Sequence, residues 1–309
     1  MGELFSGKRS GEGFFPGGAF FCGNRIAKPV LGPCFYSFLH KRRRKVIELL
    51  FLACYNRIPG RFFIMATVIA VTSGKGGTGK TSFTGAVSSC LAALGHRTLC
   101  IDMDVGLRNL DLSLGLADRA LMDFTDVVQG RCSLERAVVE HPDIQGLYLL
   151  TAPLTLPQGI PEPAMRDLLR QAREKFDYIL LDAPAGLGEG FRLAVCGCDR
   201  AVVVSTNDAS ALRDAQRTVT ELMARVDQIH LVVNRVQPKL LRRLHTTIDD
   251  AMDAAGLPLL GVVPEDSRVM LSANQGKPLI LCANKGAAVA YLNIARRIDG
   301  QKVPLMKIR

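Results

Sequence analysis

The first 64 residues contain no threonine, and the 309-residue chain has neither cysteines paired at metal-ligand spacing nor an apolar run long enough to cross a bilayer. Each absence excludes something. The nine cysteines are scattered, and the one close pair, Cys196-Gly197-Cys198, lies in an apolar stretch after an expected helix. A lone C-x-C is a weak metal signal, and small buried thiols are common in cores. Cysteine usage therefore reads as that of a reduced, cytosolic chain. The best membrane segment, Val46 to Tyr55, contains Glu48 and is half the roughly 20 residues that a spanning helix needs. No internal repeat or low-complexity tract interrupts the chain.

Acidic residues are scarce in one region only. The formal charge of +10 would point to nucleic acid or an anionic surface if it were spread evenly. Residues 1–64 instead hold 11 Lys/Arg against 3 Asp/Glu, a net of +8 that leaves +2 for the other 245 residues. They also hold 10 of the 14 phenylalanines. Three readings compete for this segment. A transit peptide is usually Ser-rich, and here only Ser6, Ser10 and Ser37 are present. A membrane signal would use Lys41-Arg42-Arg43-Arg44-Lys45 before the apolar run, unusually far from the N-terminus. The third and preferred reading is an upstream sequence ahead of a natural start at Met65, so that residues 1–64 form a disordered or non-native extension.

The chain beyond Met65 carries the chemistry. Residues 74–81 read Gly-Lys-Gly-Gly-Thr-Gly-Lys-Thr, fitting the frame Gly74-x4-Gly79-Lys80-Thr81 of a phosphate-binding loop. Glycines let successive backbone N–H groups approach an anion. The apolar run Val68–Val71 precedes the loop, and a helical stretch near 81–94 comes after it. A strand feeding a helix N-terminus gives the motif its context, because the helix dipole favours phosphate there. In this frame Lys75, Gly76, Gly77, Thr78, Gly79, Lys80, Thr81 and Ser82 line a nucleotide. Lys80 contacts the β- and γ-phosphates, and the Thr81 hydroxyl is a Mg²⁺ ligand.

From Met65 onward, apolar runs near 67–72, 98–102, 147–151, 178–182, 200–205, 229–234 and 259–263 alternate with helical patterns near 163–175, 208–226, 240–255 and 285–299. Val/Ile/Leu on both faces describes strands buried between two helical layers. The expected fold is α/β, a doubly wound, mainly parallel sheet flanked by helices. Its ATPase domain covers 65–300, and its ligand sits at the strands' carboxyl ends. Aspartates recur there. Leu99-Cys100-Ile101 runs into Asp102-Met103-Asp104, and Ile179-Leu180-Leu181 into Asp182-Ala183-Pro184-Ala185-Gly186. A carboxylate just past a buried strand can hold Mg²⁺ through water or orient an attacking water. Asp182 fits the Walker B role, and with Thr81 and Asp104 makes up the expected metal site; Asp104 is also the better candidate to position the hydrolytic water, and Asp102 is open between function and turn formation.

Together these segments resemble the MinD family of deviant Walker A ATPases, which position bacterial cell division. Lys75 matches the second lysine that gives the loop its deviant form. Asp102 to Leu112 resembles the first switch, Asp182 to Gly186 the second, and Gly261 to Asp266 and Asn274 to Pro278 resemble late signatures. The resemblance runs from Met65 to about Leu305. It implies ATP and Mg²⁺ as cofactors, and a homodimer when ATP is bound, with Lys75 serving the partner's nucleotide. It also implies adenine contacts from Asn234 and from Pro264, Glu265 and Asp266. An amide at a strand end can pair with a base edge. Catalysis would be electrostatic, with Lys75, Lys80, Asp104 and Mg²⁺ acting on the transferred phosphoryl group. Partners implied are a MinC-like inhibitor, a MinE-like activator and the inner membrane face.

The tail departs from that family. Residues 301–309 are a short basic and apolar stretch in which Pro304 breaks any helix, so a terminal amphipathic helix is missing. Three basic residues give weak attachment to an anionic surface at about 1 kcal/mol each, although two tails on a dimer would act together. The alternative is a ParA-like partition or flagellar-number ATPase acting on DNA or another protein surface. Only Lys239, Arg242 and Arg243 form a basic cluster for DNA. An iron–sulfur carrier would rest on Cys196 and Cys198 alone.

Overall fold

The computed structural model describes residues 66–155 and 159–306. The expectations for residues 1–64 and for the last three residues of the tail lie outside the described residues. Eight strands form one sheet in the order β3-β4-β2-β5-β1-β6-β7-β8. They are β1 Thr67–Thr72, β2 Thr98–Asp102, β3 Val139–Glu140, β4 Leu147–Leu150, β5 Tyr178–Asp182, β6 Arg200–Ser205, β7 Gln228–Val236 and β8 Leu259–Pro264. All pairings are parallel except that of the two-residue edge strand β3 with β4. The seven expected strands are therefore present. The chain winds outward from β1 to β2 and β4, returns to β5, and then builds β6, β7 and β8 on the other side. That reversal makes the carboxyl end of β1 a switch point, where such sheets bind ligands.

The apolar runs on both strand faces have a packing cause. On β1, Ile69 and Val71 join one core with α1 Lys80–Ala93, while Val68 and Ala70 face the opposite layer. The first layer is closed by α12 Ala287–Ile298, whose Tyr291 meets Phe83 edge-on with ring centroids 6.1 Å apart. The second layer carries α5 Glu162–Arg173, α6 Glu189–Val195 and α7 Ala209–Met223. Val68, Ala70, Leu99, Ile101, Leu180, Leu181 and Val203 are fully buried, so the central strands are covered on both faces.

Two findings depart from the sequence reading. Residues 240–255 are two helices, α8 Pro238–Leu244 and α9 Ile248–Ala255, where one was expected. His245 ends the first in the left-handed region (φ 51°). Thr247 and Asp250 then form a reciprocal capping box that starts the second. Five short helices also went unread: α2 Asn109–Leu114, α3 Phe124–Val128, α4 Leu134–Ala137, α10 Ser267–Asn274 and α11 Leu279–Cys282, whereas α6 is the helix expected ahead of Cys196. Elements of four to eight residues are too short to show a 3.6-residue period. No helix among the described residues is long and apolar enough to cross a membrane.

Candidate nucleotide site

The loop after β1 turns into α1 through Gly79, whose φ of 93° is open to glycine alone at little cost. Space makes the same demand: a Cβ there would lie 2.4 Å from Asn234 Nδ2. Gly74 is equally constrained, since its Cβ would meet the Asp214 backbone at 2.1 Å. The glycines at the two ends of the loop are thus fixed by packing. Gly76 and Gly77, in the middle, are exposed and face nothing.

Lys80 is buried and donates to Ser73 Oγ at 2.7 Å. Burial pushes its pKa down, against the opposing pull of Asp182 and Asp104. The register of β5 with β1 and β2 sets Asp182 beside Val71 and Asp102. Asp182 Oδ1 accepts from Thr84 Oγ1 at 3.1 Å. Its Oδ2 is buried without a hydrogen-bond partner among the described residues. Burial raises this carboxyl to about 6, even though Thr81, Lys80 and Thr84 favour its charged form. Buried carboxylates are normally fully bonded, so an open oxygen beside Thr81 fits a divalent cation with its water shell. The residues present therefore suit Mg²⁺ on a bound triphosphate. Thr81 and Asp182 would hold it, and it would supply charge neutralisation there.

Asp102 answers the question left open by the sequence. It is fully buried, with Oδ1 accepting from Asp104 N at 2.8 Å and Oδ2 from Leu110 N at 3.3 Å. It thereby closes the loop that carries Asp104. Burial, and then the charge of Asp182, raises it to about 7. Asp104 itself is half-buried, and burial raises its pKa against the charge of Lys80. The electrostatic effects that Lys80, Asp182 and Asp104 exert on one another place all three in one site.

The second lysine is held elsewhere. Lys75 Nζ donates to Asp208 Oδ1 at 3.0 Å and to Ser210 Oγ at 2.8 Å, just past the end of β6. Both groups of the ion pair stay open to solvent, at 39% and 51% side-chain exposure. Partial burial opposes ionisation of Asp208, but Thr206, Ser210, the Ala211 N–H and Lys75 hold its carboxyl well below the usual range.

On the far side of the loop, Asn234 is buried and donates from Nδ2 to the Thr78 carbonyl at 2.8 Å. Arg235 is next, at φ 57° and at an irregularity in the β7–β8 register. Its guanidinium pairs with Glu265 at 2.8 Å and reaches the Gly77 carbonyl at 3.4 Å. Pro264 ends β8. Asp266 caps α10 and bonds Arg268 and the Ala287 N–H, so its carboxylate is committed to the fold. Sequence reasoning missed Ser73, Thr84, Asp208, Ser210 and Arg235. Thr84 alone carried a signal, one helical turn beyond Thr81 on the face towards Asp182.

Fold and site define a P-loop nucleotide hydrolase with a second lysine at its loop. Residues 69–279 match the model of the CobQ/CobB/MinD/ParA nucleotide binding domain. The chain is 39% identical over 246 residues to the septum site-determining protein MinD of Synechocystis, covering 78% of this chain and 92% of that one. It is similar to MinD in the MinC:MinD cell division protein complex of Aquifex aeolicus, with a TM-score of 0.73 and 34% identity over 78% of this chain and 99% of that chain. It also resembles Pyrococcus horikoshii MinD complexed with Mg-ADP, with a TM-score of 0.67 and 28% identity over 76% and 96% of the two chains. The chain belongs to the MinD family of division-site ATPases. Its reaction is hydrolysis of ATP to ADP and phosphate, with Mg²⁺ as the metal.

Proposed function

We propose that the chain is an ATP-operated switch in division-site placement that works as a dimer, recruits a MinC-like inhibitor to the inner membrane face and is released by a MinE-like activator. One observation carries this reading: Lys75 is parked on Asp208 and Ser210, while Lys80 and Asp182 are buried and Asp104 half-buried. A flexible ammonium held by an exposed pair leaves at little cost, since such pairs are worth about 0–1 kcal/mol. In the dimer, Lys75 moves to the partner's phosphates. Lys80 and Thr81 hold the chain's own nucleotide, Asp182 and Thr81 its metal, and Asp104 positions the attacking water. Asn234 offers its amide oxygen to adenine, beside the turn of Pro264, Glu265 and Asp266.

The test is Lys75→Ala, with light scattering after gel filtration in ATP or ADP. The variant is expected to remain a folded monomer that binds ATP, to form no ATP-driven dimer, and to lose most hydrolysis. Normal dimers and normal turnover in that variant would end the trans-lysine reading. Part of the tail is held to the body of the chain. Arg297 clamps the Val303 and Pro304 carbonyls at 3.0 and 2.7 Å, and Met306 packs on the core.

A further inference from the structure

Helix α8 buries none of its seven residues. Pro238 and Leu241 are half-buried, and Leu241 packs against the core. That fixes the outward face. Lys239 and Arg243 are four apart and form one row, and Leu240 and Leu244 form the adjacent row. Arg242 flanks them. The two leucines are 47% and 53% exposed. From Val236 to Ile248 the chain has no acidic residue. Of the aspartates just beyond, Asp250 is turned into the capping box of α9. This concentrates positive charge in a body whose net charge from residue 65 onward is only +2.

We propose that α8 is a lipid-surface contact, seating its basic and leucine rows in the headgroup layer of an anionic bilayer. The inference rests on the membrane association proposed above and supplies the surface for it. Charge complementarity requires an anionic partner. Exposed leucines sharing the basic face require one that also takes apolar side chains, which a bilayer interface does and a nucleic-acid backbone does not. The helix buries none of its residues, so its outer face meets a deformable surface without needing a matching groove. Two copies on an ATP-bound dimer would act together through effective concentration.

Position ties this surface to the nucleotide. The strand leading into α8 carries Asn234 and Arg235, which bond the Thr78 and Gly77 carbonyls of the phosphate loop. The turn leaving α8 is bonded through Thr246 Oγ1 to Asn207 at 3.2 Å, one residue before the Asp208 that holds Lys75. The helix is thus anchored at both ends to groups that border the phosphate loop or hold its second lysine.

The test uses the full chain, sedimented with phosphatidylglycerol-containing vesicles or with pure phosphatidylcholine vesicles, in ATP or ADP. The wild-type chain is expected to pellet on anionic vesicles with ATP. The triple variant Lys239→Gln/Arg242→Gln/Arg243→Gln is expected to bind about a hundredfold more weakly, from the loss of three basic contacts. Leu240→Ser/Leu244→Ser should also fall, with ATP-driven dimerisation and hydrolysis unchanged in both. A tail variant, Leu305→Ser/Met306→Ser, should bind as wild type. Normal pelleting of both α8 variants, loss confined to the tail variant, or equal wild-type binding to phosphatidylcholine would overturn the proposal. So would a wild-type chain that dimerises with ATP yet ignores anionic vesicles, which leaves the switch reading intact. A wild-type chain that never dimerises fails the switch reading. The variant comparison at high lipid still decides α8, because it needs no dimer. Retardation of duplex DNA that the triple variant abolishes, without vesicle binding, would reassign the surface to nucleic acid.

Discussion

The two lysines of the phosphate loop lie five residues apart and live in opposite environments. Lys80 is 8% exposed, bonded to Ser73 and close to two carboxylates whose pKa values are raised. Lys75 is 39% exposed on its side chain and rests on an ion pair that water can replace. One is built in and the other is lent out. Burial makes the contribution of Lys80 large and local, whereas exposure lets Lys75 change partners without disturbing the core. A loop with this asymmetry can bind nucleotide in one chain and report on it to a second.

The comparison breaks most severely at Lys80. Lys80→Ala removes the charge that faces Asp182 and Asp104 and the donor to the phosphates. ATP affinity is expected to fall more than a hundredfold, about 3 kcal/mol or more. Isothermal titration with Mg-ATP measures it. Measurable binding within tenfold of wild type would mean that the backbone cradle alone holds the phosphates.

Asp104→Ala separates binding from hydrolysis. Asp102 holds the Asp104 backbone, so removing the side chain leaves the loop closed. Hydrolysis should drop by about 10²–10⁴-fold. ATP binding should persist, and the ATP dimer should accumulate on gel filtration. Disassembly at the wild-type rate would remove Asp104 from the water-positioning role.

How much of this was legible depends on where each constraint sits. Lys80, Asp182 and Asp104 could be read because a loop frame and two strand ends state them locally. The seven main strands showed as apolar runs because the sheet is covered on both faces. The partners of Lys75 could not be read, since Asp208 is 133 residues away and looks like any helix N-cap. Arg235 gave no hint of its left-handed backbone, a property of the β7 irregularity. The break at His245–Thr247 was present as a capping box, but an apolar period continuing through it outweighed that signal. The tail was read as a weak membrane contact from its composition, which gave no sign that Arg297 on α12 bonds the Pro304 carbonyl.

The buried end of the loop also sets a pH dependence. Asp182 and Asp102 are raised to about 6 and about 7 from an ordinary 3.8, with burial the leading cause in both. The folded chain therefore binds more protons than the unfolded one between about pH 4 and 7. Stability of the nucleotide-free protein should be greatest below about pH 4 as far as these groups are concerned, and fall as pH rises towards 7. Thermal melts across that range measure it. Asp102→Asn should flatten the slope, and an unchanged slope would mean that Asp102 titrates normally.

The smallest effect belongs to the exposed end. Asp208→Asn keeps the side-chain cap on the Ala211 N–H, because asparagine caps a helix as well as aspartate does. It removes the charge that holds Lys75, and with it the second carboxylate oxygen, which accepts from Thr206 Oγ1. The pair is exposed, so stability should change by less than about 1 kcal/mol. Dimerisation should instead respond: a lysine no longer held in its own chain is available to a partner at lower ATP, by a few-fold in the half-maximal concentration. Light scattering across an ATP titration reads this directly. A variant that melts as wild type and dimerises at unchanged ATP would show that Asp208 merely caps α7. Lys75 would then be free in solution already, and the asymmetry between the two lysines would lie in burial alone.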